Sequence, residues 1–203
     1  MELSRETLHE RLLVARAQTG DETALAELIE RYHARVRYFV TKMLGGAGGG
    51  GAGGGDANHR RGRASVADVL QDVWLDVVRG LPGLRDAQTF PAWVYRVARD
   101  RVWQELRRSG VRAIETIADE AIGNIAADDS DDPTFDAADV ALVHACLDEL
   151  SPPHREVLVL RFLQELSYDQ VAAVARCDVG TVRSRLHYAK RALRRAIERK
   201  RSS

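Results

Sequence analysis

Apolar residues recur along the chain at spacings of three and four, and no alternating apolar–polar run of four or more residues interrupts them, so the pattern predicts an all-α protein. A short first helix places Leu8, Leu12 and Ala15 on one face and ends at Thr19-Gly20-Asp21, where Gly20 suits a C-terminal cap. The next runs from about Asp21 to Leu44, with Leu25, Leu28, Ile29, Tyr32, Val36, Phe39, Val40 and Met43 as its apolar stripe. Ser65-Val-Ala-Asp68 is a capping-box pattern that opens a third helix. Its buried side would hold Val66, Val69, Leu70, Val73, Trp74, Val77 and Val78, and its other side offers Asp68, Gln71, Asp72 and Asp76. Gly80-Leu-Pro-Gly83 stops that helix, and a loop through Thr89 leads to a fourth, from about Phe90 to Arg108. Here Phe90, Trp93, Val94, Val97, Ala98, Val102 and Leu106 form the buried stripe, leaving Arg96, Arg99, Asp100, Gln104, Arg107 and Arg108 toward solvent.

Farther on, a helix spans about Asp136 to Leu150, and Ser151-Pro152 caps and starts another through Phe162. Ser167-Tyr-Asp-Gln170 is a second capping box, opening a short helix that ends in a turn at Arg176-Cys177-Asp178. Asp178 then caps a last helix beginning near Val179, whose apolar side is Val182, Leu186, Ala189, Leu193 and Ile197. Its opposite side displays Arg183, Ser184, His187, Lys190, Arg191 and Arg194.

Two stretches carry no such period. Residues 45–55 hold nine glycines in eleven positions, a flexible tether rather than a phosphate-cradling loop, which would need a preceding strand and a following Gly-Lys-Ser/Thr. Residues 111–136 contain Ala-Ala-Asp-Asp-Ser-Asp-Asp-Pro and read as a flexible acidic linker. The chain therefore divides into two small helical domains, 1–110 and 137–203, joined by residues 111–136.

Charge follows that division. The balance of 30 basic and 30 acidic residues conceals +3 over residues 1–110, −10 over 111–150 and +7 over 151–203, so the basic terminus points to a polyanion partner. Cys146 and Cys177 form no CxxC pair, and His144, Cys146 and His154 lack a fourth ligand at zinc spacing, so neither a metal nor another cofactor is expected. No nucleophile elbow, metal motif or phosphate loop supports catalysis. With no apolar run near the roughly 18 residues of a membrane helix and no signal-peptide core in MELSRETLHERL, the expectation is a cytoplasmic protein without membrane insertion.

Two short helices joined by a tight turn, the second basic on its outer face, describe a helix-turn-helix whose last helix enters the major groove. Arg makes bidentate contacts to guanine there, and additional cations neutralise phosphates. A stand-alone helix-turn-helix regulator with an N-terminal helical sensing or interaction domain satisfies the same pattern.

The stretch LDELSPPHREVLVLRFLQELSYDQVAAVARCDVGTVRSRLHYAKRAL resembles the fourth-region domain of extracytoplasmic-function (group IV) sigma factors, with Val179 to Leu186 its most specific part. Gly20 to Tyr32, Asp68 to Leu75 and Phe90 to Asp100 resemble the second-region helices in order and spacing. The resemblance implies a non-catalytic subunit that binds core RNA polymerase and directs initiation at minus-10 and minus-35 promoter DNA. It implies that Asp68, Gln71 and Asp72 grip the β′ clamp coiled coil, and that Arg96, Arg99, Asp100, Gln104 and Arg107, with the loop from Gly80 to Thr89, hold the unpaired minus-10 strand. The C-terminal domain would bind the β flap and, through Thr181, Arg183, Ser184, His187, Tyr188, Lys190, Arg191 and Arg194, the minus-35 duplex. An anti-sigma protein is a further partner it implies. Asp100 stands where the family often has Asn, Gln104 where Asp is common, Arg176 where Gly is usual and Tyr188 where a basic residue is frequent.

Overall fold

Why the helices start and stop where they do is largely local. A computed structural model describes residues 5–45, 64–108 and 140–202, and its regular structure among these is wholly helical: α1 (Arg5–Gln18), α2 (Glu22–Gly45), α3 (Val66–Gly80), α4 (Phe90–Arg108), α5 (Val140–Leu147), α6 (Pro152–Leu158), α7 (Tyr168–Ala175) and α8 (Val179–Arg201). The glycine tether beyond Gly45 and the acidic linker lie outside the described residues. Gly20 turns the chain after α1 at φ +92°, a conformation that costs glycine little. Asp21 then accepts hydrogen bonds from the Thr23 and Ala24 amides at the start of α2. At α3 the capping box is complete: the Asp68 amide donates to Ser65 Oγ at 3.1 Å, and the Ser65 amide to Asp68 Oδ2 at 2.9 Å.

Helices α1–α4 close around Leu28, Tyr32, Val36, Phe39, Val40, Val69, Val73, Phe90 and Val94, all buried. The expected stripe of α2 is the buried one, with Leu25 and Ile29 at its half-buried margin. For α1 the expectation fails. Leu8 and Leu12 are 60% and 54% exposed and Ala15 is exposed, whereas Leu13, Val14 and Ala17 are buried. Both sets have helical spacing, and Gln18 decides between them by donating to the carbonyls of Leu81 and Leu84 at 3.0 and 2.6 Å. Val78 of α3, expected inside, is likewise exposed.

At the end of α3, Gly80 admits α4. A Cβ there would lie 2.9 Å from Cζ2 of Trp93, closer than side chains pack. Gly80→Ala therefore works against the usual gain of alanine in a helix: overpacking against Trp93 should cost about 1–3 kcal/mol, set against a gain of at most about 1 kcal/mol, and is read as a lowered midpoint in thermal unfolding. An unchanged or raised midpoint would mean that Trp93 yields freely.

In the second half, α6 begins at the Ser151 position as expected, though the Ser151 side chain makes no cap hydrogen bond. It does not run on as a plain α-helix to Phe162. Val159–Leu163 form a π-helical turn, closed by the Gln164 amide donating to the Val159 carbonyl at 3.0 Å. Helix α8 packs along α5, α6 and α7, with Val182, Leu186, Ala189, Leu193 and Ile197 inside as the sequence predicts.

The two halves share one continuous core. Its joint is Arg155 of α6, which is completely buried. The guanidinium donates to the carbonyls of Leu147 (2.7 Å), Asp148 (3.0 Å) and Leu150 (2.6 Å) and, across the joint, to that of Lys42 near the end of α2 (3.0 Å). Lys42 Nζ in turn reaches the Asp148 carboxylate at 3.1 Å. Tyr95 of α4 donates to Oε1 of Gln164, and Arg35 of α2 donates to the Gln164 carbonyl at 2.9 Å. Paired donors and acceptors thus line most of the joint, as burial of polar groups requires, with the buried Oε2 of Glu156 left without a partner.

Candidate nucleic-acid interface

Asp178 positions α8 by accepting from the Thr181 amide at 2.8 Å, and these N-cap hydrogen bonds hold its carboxyl below the usual carboxylate range. From that start the helix turns Arg183, Arg191 and Arg194 fully outward, with Thr181, His187, Tyr188 and Lys190 half-buried beside them. Ser184 is different. It is buried and its hydroxyl donates to the Thr181 carbonyl at 3.0 Å, so it does not belong to the outer face where the sequence placed it. Both α6 and α7 flank the start of α8, which widens the buried arc beyond a single stripe.

Aromatic rings that the sequence did not single out support the cations. The Arg183 guanidinium lies 5.8 Å from the Tyr168 ring centre and Lys190 Nζ lies 5.0 Å from that of Phe162. Such cation–π contacts restrict long side chains before any ligand arrives. Tyr168 sits inside the Ser167–Gln170 capping box, the one local signal that could have marked it.

On α4, Arg96 and Arg107 are exposed and Gln104 is half-buried. Arg99 is not the solvent-facing residue the periodicity predicts. Its Nε donates to Oε1 of Glu156 at 2.8 Å, a carboxylate that also accepts from Trp103 Nε1 at 2.9 Å. Glu156 is fully buried, and that burial raises its pKa above the ordinary 4.5 against the opposing pull of Arg99. Asp100 accepts from Arg176 at 2.5 Å, which ties the end of α7 to α4. Arg96 lines a cleft of about 370 Å³ with Gln88, Thr89 and Trp93 on one wall and Asp169, Gln170 and Ala173 of α7 on the other. Trp93, expected in the core, is therefore only half-buried.

Asp68, Gln71 and Asp72 are exposed along a strip of α3. Leu75 and Val78, each 43% exposed, continue the same strip, and the sequence assigned them no interface role. The acidic flank is anchored by Arg101, which pairs bidentately with Asp76 and lies 3.6 Å from Asp72. Asp68 is partly committed already, since its carboxylate caps Ser65.

Comparison with known proteins gives the same two-part order. A family model described as sigma-70 region 2 matches residues 28–112, and one described as sigma-70, region 4, matches residues 141–193. The ECF RNA polymerase sigma-E factor of Escherichia coli is 28% identical over 201 residues, covering 95% of this chain and 96% of that protein. The chain belongs to the extracytoplasmic-function sigma factors. The RNA polymerase sigma-H factor of Pseudomonas aeruginosa is 29% identical to this sigma factor over 195 residues, or 92% of each chain. Among solved structures, CnrH in complex with the cytosolic domain of CnrY shares the fold at a TM-score of 0.62 and 20% identity, covering 94% of this chain and 97% of CnrH. The sigma factor RpoE in complex with the anti-sigma factor NepR from Bartonella quintana does so at 0.57 and 18%, covering 85% and 96%. As a sigma factor, the chain acts in transcription initiation. Among its described residues, no helix is long and apolar enough to cross a membrane.

Proposed function

We propose that this sigma factor docks on core RNA polymerase through the exposed strip of α3 and reads promoter DNA through α4 and α8. Residues 1–110 and 137–203 are the two working domains of this reading, and 111–136 the linker that lets each reach its own target. The observation that carries it is the outer face of α8. Arg183, Arg191 and Arg194 project from a helix capped by Asp178 and backed by a continuous apolar side, the geometry of a recognition helix in the minus-35 major groove. Arg96 and Arg107 with Gln104 supply the unpaired minus-10 strand with cations and a hydrogen-bonding amide, and Arg99 and Asp100 join them when released from their present partners. Such a protein needs no catalytic group of its own, works in the cytoplasm beside the polymerase, and is open to capture by an anti-sigma protein.

Adding the purified chain to core polymerase on a library of promoters should produce initiation at a defined subset that core alone ignores. Promoter binding without initiation would instead identify a stand-alone regulator. The α3 contact has its own test. Reversing Asp68 would break the capping box and confuse folding with binding. Asp72→Lys with Leu75→Glu leaves the cap intact and should weaken core binding at least about ten-fold, the effect of 1.4 kcal/mol. Equal core affinity, with unchanged circular dichroism, would take this strip out of the interface.

A further inference from the structure

We propose that the chain carries an internal latch, the Arg176–Asp100 pair seated beside Arg99–Glu156, which holds α7 over the DNA-binding face of α4 until the two halves separate. The inference rests on the reading of α4 given above.

The geometry is that of a clasp with a dry inner part and a wet outer part. Inside, Arg99 is 12% exposed and Glu156 not at all, so this pair forms only when α6 lies against α4. Outside, Arg176 and Asp100 are 61% and 42% exposed at their side chains, within reach of solvent and salt. Arg176 occupies a left-handed conformation, φ 55° and ψ 45°, at the end of α7. Glycine adopts that conformation at little cost and arginine does not, so the position gives up local stability for a side chain that crosses to Asp100. Three of the groups assigned to the minus-10 strand are affected together, and the neighbouring Trp93 with them. Arg99 and Asp100 are paired to the second half, Arg96 faces the cleft walled by Asp169 and Gln170, and Trp93 lines the same cleft. A DNA strand cannot engage Arg99 and Asp100 while both are paired to the second half, and α7 narrows the approach to Arg96 beside them.

An exposed ion pair shifts an equilibrium by no more than about five-fold. The latch is therefore a bias on opening that a tight partner overcomes, with the buried pair and the apolar seam supplying most of the closure. Releasing it should raise affinity for an unpaired strand in proportion to the open fraction, since only the open molecule binds.

The test uses the full chain with donor and acceptor dyes at Arg79 on α3 and Arg195 on α8, both exposed, introduced through bioorthogonal residues. Single-molecule energy transfer then counts open and closed molecules without DNA. Arg176→Gly, which relieves the backbone, and Arg176→Gln, which keeps it, should both raise the open-to-closed ratio by about two- to five-fold at low salt. Asp100→Asn should match them, and its combination with Arg176→Gln should add nothing further. High salt should erase the differences. An unchanged ratio in both Arg176 variants would overturn the latch. In a second arm, a single-stranded minus-10 oligonucleotide should bind the Arg176 variants more tightly by the same factor. A raised ratio with unaltered DNA affinity would overturn the masking of α4 and would show that the DNA assignment of that helix, rather than the ion pair, is at fault.

Discussion

Arg155→Ala should lower the stability of the folded chain by roughly 3–5 kcal/mol, the scale of losing a buried charged group that satisfies several others. The carbonyls of Lys42, Met43, Asp148 and Leu150 lose the arginine donor at once, and that of Leu147 is left with the Leu150 amide at 3.2 Å. Each orphaned acceptor costs about 1–3 kcal/mol when water cannot replace the donor, and partial water entry into the vacated site offsets some of that. Arg155→Lys should recover only a fraction, because one ammonium has three donors and no planar fork to serve carbonyls on both sides of the joint. Urea unfolding followed at 222 nm measures both variants. A loss under 1 kcal/mol for Arg155→Ala would mean that the carbonyls find other partners and that the joint does not depend on this side chain.

Arg183→Ala should weaken binding to the cognate minus-35 duplex by about 1–3 kcal/mol while leaving a scrambled duplex nearly unaffected, because a bidentate arginine contact discriminates among bases. Arg194→Ala should behave otherwise. Lying three turns farther along α8, it suits phosphate contact, so its loss should weaken both duplexes alike and reduce the salt dependence by about one ion. Titrations at several salt concentrations separate the two patterns. Equal loss on both duplexes for Arg183→Ala would make α8 a general polyanion surface.

Much of this arrangement was legible because its signals are local. The caps at Ser65, Ser167 and Asp178 lie within three residues of the amides they serve, and α4 spans the predicted Phe90 to Arg108. Faces were harder. Leu8–Leu12–Ala15 and Leu13–Val14–Ala17 are equally good helical stripes, and only the distant carbonyls of Leu81 and Leu84 choose between them. The same holds for Arg99, Arg155 and Glu156, charged residues whose types argue for solvent and whose partners lie more than forty residues away or on the far side of a turn. Tyr95 and Trp103 were missed for a related reason: they lie off the main stripe of α4 and are buried against the second half. Ser184 shows the limit for the recognition helix, since one residue's position on the arc depends on how many helices flank it.

The burial of Tyr95 and Trp103 in the seam has a thermal consequence. Separating the halves would return apolar surface to water, and each Å² of it raises the heat capacity by about 0.45 cal/mol/K. The free energy of separation then curves with temperature and passes through a maximum instead of falling steadily. Closure is tightest at one temperature, and both warming and cooling from it enlarge the fraction of molecules whose α4 is uncovered. A protein built this way has a temperature response written into its interdomain packing, independent of any second protein that binds it.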